Sequence, residues 1–263
     1  MTGGTASLVR TGAGLTSFRA EGAGPPLVLL HGLQVGQELF DELRVHLESS
    51  FTVITYDQRD RGDTVFEPSA YTTDDLADDL AALIEALGFV RAHVLGTSFG
   101  GMVAQAFALR HADLLDGLVL GATSQAPFRT GRIAGPVAEL LGALENGDEE
   151  RAGALLARMA PAAVPVPTER GAPVPPDRND ALMRRFAATR SFDTRGRLGE
   201  IATATLIVHG RDDAVVPVAD ALSMTGEIPR ADALVLAECG HTWENERPAR
   251  AAAAIVAFLT GAR

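Results

Sequence analysis

The stretch Ala92-His93-Val94-Leu95-Gly96-Thr97-Ser98-Phe99-Gly100-Gly101 decides how the rest of the chain is read. Its first half is a short apolar run of strand character, and from about Gly101 to Arg110 the pattern turns helical. Alanines at 104, 106 and 108 would let that helix lie close to a sheet. A strand that turns sharply into a helix forces its central residue into a strained backbone conformation, so the flanking residues must be small. Gly96, Gly100 and Gly101 meet that need, and the strain would lift the Ser98 hydroxyl out at the top of the sheet. The letters G-x-S-x-G are weak by themselves, and a glycine-rich structural turn is the plain alternative. The strand-turn-helix context is what points to a nucleophile.

The same grammar extends in both directions. Short apolar runs recur at Leu27–Leu30, which stops at His31-Gly32, and at Phe51–Tyr56, Gly117–Gly121, Leu206–Val208 and Leu234–Leu236. Between them lie helical patterns. Leu76, Leu80, Leu83, Ile84 and Leu87 form one apolar stripe, with Thr72 and Asp75 spaced as a helix start. Phe40–Leu47 and Ala249–Leu259 are also helical in pattern. Strands that are apolar throughout and alternate with helices imply a mostly parallel sheet with helices on both faces.

From about Gln125 to Glu200 the alternation is interrupted. Helix-like pieces at Val137–Leu144 and Arg151–Met159 precede a run containing Pro161, Pro165, Pro167, Pro173, Pro175 and Pro176. Arginines 178, 184, 185, 190, 195 and 197 follow. Strands resume directly afterwards, so residues 125–200 are expected to form a helical cap over the sheet's C-terminal edge, on a core of 1–124 and 201–263. A separate linker or partly disordered region is the alternative.

Bulk properties narrow the partners. With 263 residues, 46% of them hydrophobic, the chain can bury a reacting site away from water. A net charge of −11 argues against nucleic acid, which demands a basic footprint. The single cysteine, Cys239, excludes an internal disulfide. The opening residues are small and polar, unlike a signal peptide, and no segment reaches bilayer length. A soluble cytoplasmic protein with a small-molecule substrate and no membrane partner is expected; oligomeric state is left open.

A serine hydroxyl needs an adjacent base. Of six histidines, His46 lies in a helical pattern, His93 in a strand and His111 just past a helix, whereas His31 and His209 precede glycines at strand ends. His241 remains, in the loop Glu238-Cys239-Gly240-His241 after the last strand. The orienting acid should lie in another such loop, and Arg211-Asp212-Asp213 follows Leu206–Val208, with Pro217 closing the turn. Spacing favours Asp213, with Asp212 as its competitor. A developing oxyanion would need backbone donors, expected at Phe99 and at Leu33, where Gly32 lets the chain turn. Gln34 could assist or face solvent. Phe128, Met159, Met183, Phe186 and Trp243 could line an apolar substrate pocket or simply pack in a core. One of the arginines between 178 and 197 could hold a substrate carboxylate, or all could be solvated.

On these pieces the chain resembles the α/β-hydrolase superfamily over nearly its whole length. The matching segments are His31-Gly32, Tyr56-Asp57-Gln58-Arg59, Gly96–Gly101, His209-Gly210-Arg211-Asp212-Asp213 with Pro217, and Gly240-His241 with Glu246 and Pro248. The order Ser98, Asp213, His241 is also that of the family. Within the superfamily the chain looks most like capped bacterial esterases and lactonases of the 3-oxoadipate enol-lactonase kind. One segment departs: the family's D-x-R-G-x-G-x-S becomes Asp57-Gln58-Arg59-Asp60-Arg61-Gly62-Asp63-Thr64. The resemblance implies hydrolysis of a carboxylic ester or lactone through an acyl-enzyme, with no metal and no cofactor required. A carbon–carbon bond hydrolase or cofactor-free perhydrolase on the same three residues is the alternative, and a hydrolase-fold ligand receptor without turnover a third. Related dehalogenases and epoxide hydrolases attack with aspartate, which the serine disfavours.

Overall fold

A computed structural model describes residues 6–12, 14–127 and 178–261, with single positions at 139, 142, 143, 148, 151, 154 and 155 between them. Eight strands form one sheet: β1 (Ser7–Thr11), β2 (Gly14–Gly22), β3 (Pro26–Leu30), β4 (Thr52–Tyr56), β5 (Ala92–Thr97), β6 (Leu115–Gly121), β7 (Thr205–Gly210) and β8 (Ala231–Leu236). Their order is β1-β2-β4-β3-β5-β6-β7-β8. The β1–β2 and β2–β4 pairs are antiparallel, and from β4 through β8 every pair is parallel. This is the α/β-hydrolase fold that the sequence led us to expect.

The described residues include the helices α1 (Asp41–Arg44), α2 (Thr73–Ala86), α3 (Phe99–Arg110), α4 (Arg178–Ser191), α5 (Val218–Glu227), α6 (Trp243–Glu246) and α7 (Pro248–Thr260). None of them is long and apolar enough to cross a membrane. The start of α2 is a capping box: the Thr72 hydroxyl accepts from the Asp75 N–H while the Asp75 carboxylate accepts from the Thr72 N–H.

Alternation along each strand divides the core into two layers. Val28, Leu30, Ile54, Val94, Leu118 and Ile207 face α2, α3 and α5. Leu27, Leu29, Val53, Leu95, Val119 and Val208 face the side that holds Phe40, Leu43, Trp243 and Ile255. Trp243 therefore belongs to the core. It is fully buried and packs in the core, one of the two readings its sequence allowed. Its indole fills the space over Gly121, where a Cβ would stand 2.5 Å from Cζ2. Of the insert, the Pro-rich run and most of the two helix-like pieces lie outside the described residues, as do Phe128 and Met159.

Register sets the functional rim. Leu30 pairs with Gly96, Thr97 with Gly121, Gly121 with Val208, and Gly210 with Leu236. Residues just beyond these levels, Gly32, Ser98, Asp213 and His241, therefore emerge at one C-terminal edge. That edge is where open parallel sheets offer a crevice for ligands. Replacing Gly121 by alanine should force the Trp243 indole from its seat and cost about 1–3 kcal/mol of stability. Urea unfolding followed by the emission of this sole tryptophan measures it directly.

Candidate active site

Ser98 sits between β5 and α3 with φ 53° and ψ −117°, a conformation that ordinary residues avoid. Close approach of backbone to backbone enforces it. A Cβ on Gly96 would come within 2.2 Å of the Gly100 carbonyl, and one on Gly100 within 2.1 Å of the Leu30 carbonyl. Both positions must be glycine if strand and helix are to touch. The Ser98 N–H donates to the Gly121 carbonyl at 2.8 Å, and the Thr123 hydroxyl donates to the Ser98 carbonyl at 2.8 Å. The turn is thereby tied to β6 as well.

The hydroxyl so presented meets His241. Its Oγ stands 3.1 Å from His241 Nε2, while His241 Nδ1 stands 2.8 Å from Asp213 Oδ2. An ionised carboxylate can only accept, so Nδ1 carries the hydrogen and Nε2 keeps its lone pair for the serine proton. Asp213 is held from its other oxygen, where Oδ1 accepts from the N–H groups of Val215 at 2.7 Å and Val216 at 2.9 Å. Asp212, the competing acid, points away to an exposed contact with Arg211. The three distant residues singled out in the sequence thus converge.

Charge is sharply organised here. Burial alone would raise the Asp213 carboxyl, but the adjacent His209 imidazole and the hydrogen bond from His241 outweigh it and hold the group far below its ordinary range. Burial likewise opposes a charged His241, yet the hydrogen bond and the charge of Asp213 raise its pKa above 6.5. Glu244, fully buried three residues later, is pushed up to about 7 by burial. His209, at the end of β7, shapes the loop that follows by its bond to Val216. It also supports the acid: buried, with Nε2 donating to the Val216 carbonyl at 2.9 Å, it lies 3.4 Å from Asp213 Oδ2.

Beside the serine runs the turn after β3. A Cβ on Gly32 would lie 3.7 Å from Ser98 Cβ, so this backbone lines the nucleophile directly. Phe99 supplies the first amide of α3, one of those that a helix leaves without an intrahelical acceptor. Leu33 and Gln34 are half-buried. Among the remaining lining candidates, Phe186 is buried within α4 and Met183 is 36% exposed on the same helix. Sequence reasoning gave no role to Gln58, yet it clamps this turn: its side-chain N–H donates to the His31 carbonyl at 2.8 Å and its backbone N–H to His31 Nε2 at 3.1 Å.

Comparison with known proteins agrees with this fold. A family model for the alpha/beta hydrolase fold matches residues 25–243. A putative carbamate hydrolase, RutD, of Agrobacterium fabrum is 31% identical over 232 residues, covering 83% of this chain and 86% of its own. A 2-hydroxymuconate semialdehyde hydrolase of Pseudomonas sp. is 28% identical over 94% of this chain and 91% of its own. Among solved structures, a thermophilic esterase from Thermogutta terrifontis superposes with a TM-score of 0.82 at 26% identity, covering 98% of this chain and 99% of that one.

The electrostatics make a direct prediction. In an NMR titration the His241 ring should lose its proton above pH 6.5, while Asp213→Asn should lower that midpoint by removing the hydrogen-bonded charge that raises it. His31, whose pKa burial lowers well below 6.5, should stay neutral throughout and serve as the internal reference.

Proposed function

Since the chain belongs to the α/β-hydrolase fold family, we propose that it is a serine hydrolase cleaving a carboxylic ester or lactone through an acyl-enzyme. One observation carries this reading: a single imidazole lies 3.1 Å from a strained serine hydroxyl and 2.8 Å from a buried carboxylate. In the proposed reaction His241 Nε2 takes the Ser98 proton as Oγ attacks the substrate carbonyl carbon. Asp213 stabilises the imidazolium that forms. Negative charge gathers on the former carbonyl oxygen and is met by the N–H groups of Leu33 and Phe99, each worth about 10²–10³ in rate. His241 returns the proton to the leaving oxygen as the intermediate collapses. Water, deprotonated by the same imidazole, then releases the acid.

Residues 125–200 are assigned as the cap over this rim. Support comes from α4, whose Arg185 side chain reaches the turn after β3. A second reading, carbon–carbon bond cleavage on the same three residues, draws on the likeness to the 2-hydroxymuconate semialdehyde hydrolase.

A panel of p-nitrophenyl esters, small lactones, an aryl carbamate and 2-hydroxymuconate semialdehyde separates these readings. Ester or lactone turnover is expected to dominate, and Ser98→Ala should lower kcat by more than about 10³-fold. Asp213→Asn should cost about 10⁴-fold, because the wrong imidazole tautomer is then allowed. Asp212→Asn should cost almost nothing; the reverse order would reassign the acid. The base must be neutral and its pKa is raised, so kcat/KM should climb with pH through an inflection above 6.5.

A further inference from the structure

Arg185 is 1% exposed, and among the described residues no carboxylate pairs with it. A buried guanidinium without a counter-ion is costly, and it persists only where its donors are well satisfied. Here all three nitrogens bind main-chain carbonyls. Nε donates to Leu33 at 2.8 Å, one terminal nitrogen to Arg59 at 2.7 Å, and the other to Gly32 at 3.2 Å. The carbon at the centre of the guanidinium lies 5.0 Å from the centre of the Phe99 ring. A cation projecting from α4, within the insert, thus touches both residues assigned to the oxyanion site.

Peptide geometry gives this contact a meaning. The Gly32 carbonyl and the Leu33 N–H belong to one planar trans peptide, so they point in opposite directions. Fixing one fixes the other. Two donors hold that carbonyl: Arg185, and the Nδ1–H of His31 at 2.8 Å. The Gln58 N–H points at His31 Nε2, which therefore accepts and leaves the hydrogen on Nδ1. Farther along the turn, Arg61 donates from Nε to the Val35 carbonyl at 3.0 Å and from a terminal nitrogen to the Gln34 carbonyl. The carbonyls of residues 32 to 35 are thus all gathered by guanidinium groups.

We propose that Arg185 is a positioning residue: it fixes the Gly32–Leu33 peptide so that the Leu33 N–H stands ready for the oxyanion, making the hole depend on the insert being docked. The Arg184–Asp60 pair, with Nε 2.9 Å from Oδ2 and a second contact alongside, seats α4 for that purpose. This inference rests on the hydrolase reading above.

The test uses Arg185→Met and Arg185→Lys, each checked for folding by circular dichroism and each active-site-titrated with a reactive phosphonate. Lysine keeps the charge but cannot bind several carbonyls as a planar fork does. On p-nitrophenyl acetate both variants should lose about 10²-fold in kcat while KM moves less than about threefold. Affinity for an aliphatic trifluoromethyl ketone, which forms a tetrahedral adduct on Ser98, should fall in parallel. A purely structural role would lower Tm but leave kcat per titrated site and ketone affinity unchanged, and that result overturns the proposal. If Arg185→Met does not fold, Arg185→Lys decides by the same readings; if neither folds, the role is structural and the proposal is rejected. If the wild-type protein shows no Ser98-dependent ketone binding or esterase activity, the hydrolase reading itself fails, a result distinct from any of these.

Discussion

Everything at the rim depends on how closely β5 and α3 approach each other and β3. The strained Ser98 backbone exists because the Gly96, Gly100 and Leu30 main chains are in contact, leaving no space for a side chain at either glycine. That strain costs of order 1–3 kcal/mol and is sustained by the surrounding sheet and helix rather than by local preference. In return the hydroxyl is fixed at the edge, where a histidine from a loop far away in sequence can meet it. Loosening this contact would leave the serine as one more surface hydroxyl, whatever else the chain retained.

Electrostatics build on that geometry in a graded way. Deepest lies Asp213, kept ionised despite burial by two histidines and two amides. Its charge makes His241 a better base than a free imidazole, although desolvation works against it. Glu244 lies just behind; burial pushes it up to about 7, so near neutral pH it adds only part of a negative charge to those raising His241. On the opposite flank, His31 is held neutral by burial, with the Arg185 charge acting in the same direction. One imidazole is thus made basic and another made inert within a single rim, by the neighbours each was given.

The parallel strands and the convergence of Ser98, Asp213 and His241 could be read from the chain because both leave short-range marks. Continuous apolar runs announce buried strands, and small residues around a serine announce the tight turn. The β1–β2 hairpin left no such mark. Its strands pair antiparallel at the sheet edge and mix Ser, Thr and Arg with a few apolar residues, so their hydrophobic content resembles that of a loop. Trp243 was open for a different reason. Pocket lining and core packing suit a tryptophan equally in sequence, and a helical turn carries the indole under the sheet. Arg185 was hidden among five similar arginines, since nothing in spacing distinguishes a buried guanidinium from a solvated one.

The departure at Asp60 has an explanation that only the assembled structure supplies. Its φ of 63° lies in the left-handed region, where glycine is the easy choice and other residues are strained. Asp is among the side chains that tolerate this region best. The residue that replaces glycine here is met by the Arg184 guanidinium across 124 positions of sequence, with both groups partly buried. Thr64, the other departure, still donates to the Asp57 carbonyl and accepts from the Ser17 N–H, work that any hydroxyl side chain could do. The two substitutions are therefore unequal. Thr64 preserves a local turn, whereas Asp60 accepts backbone strain in exchange for an ion pair to the insert, tying that segment to the loop whose neighbour frames the serine.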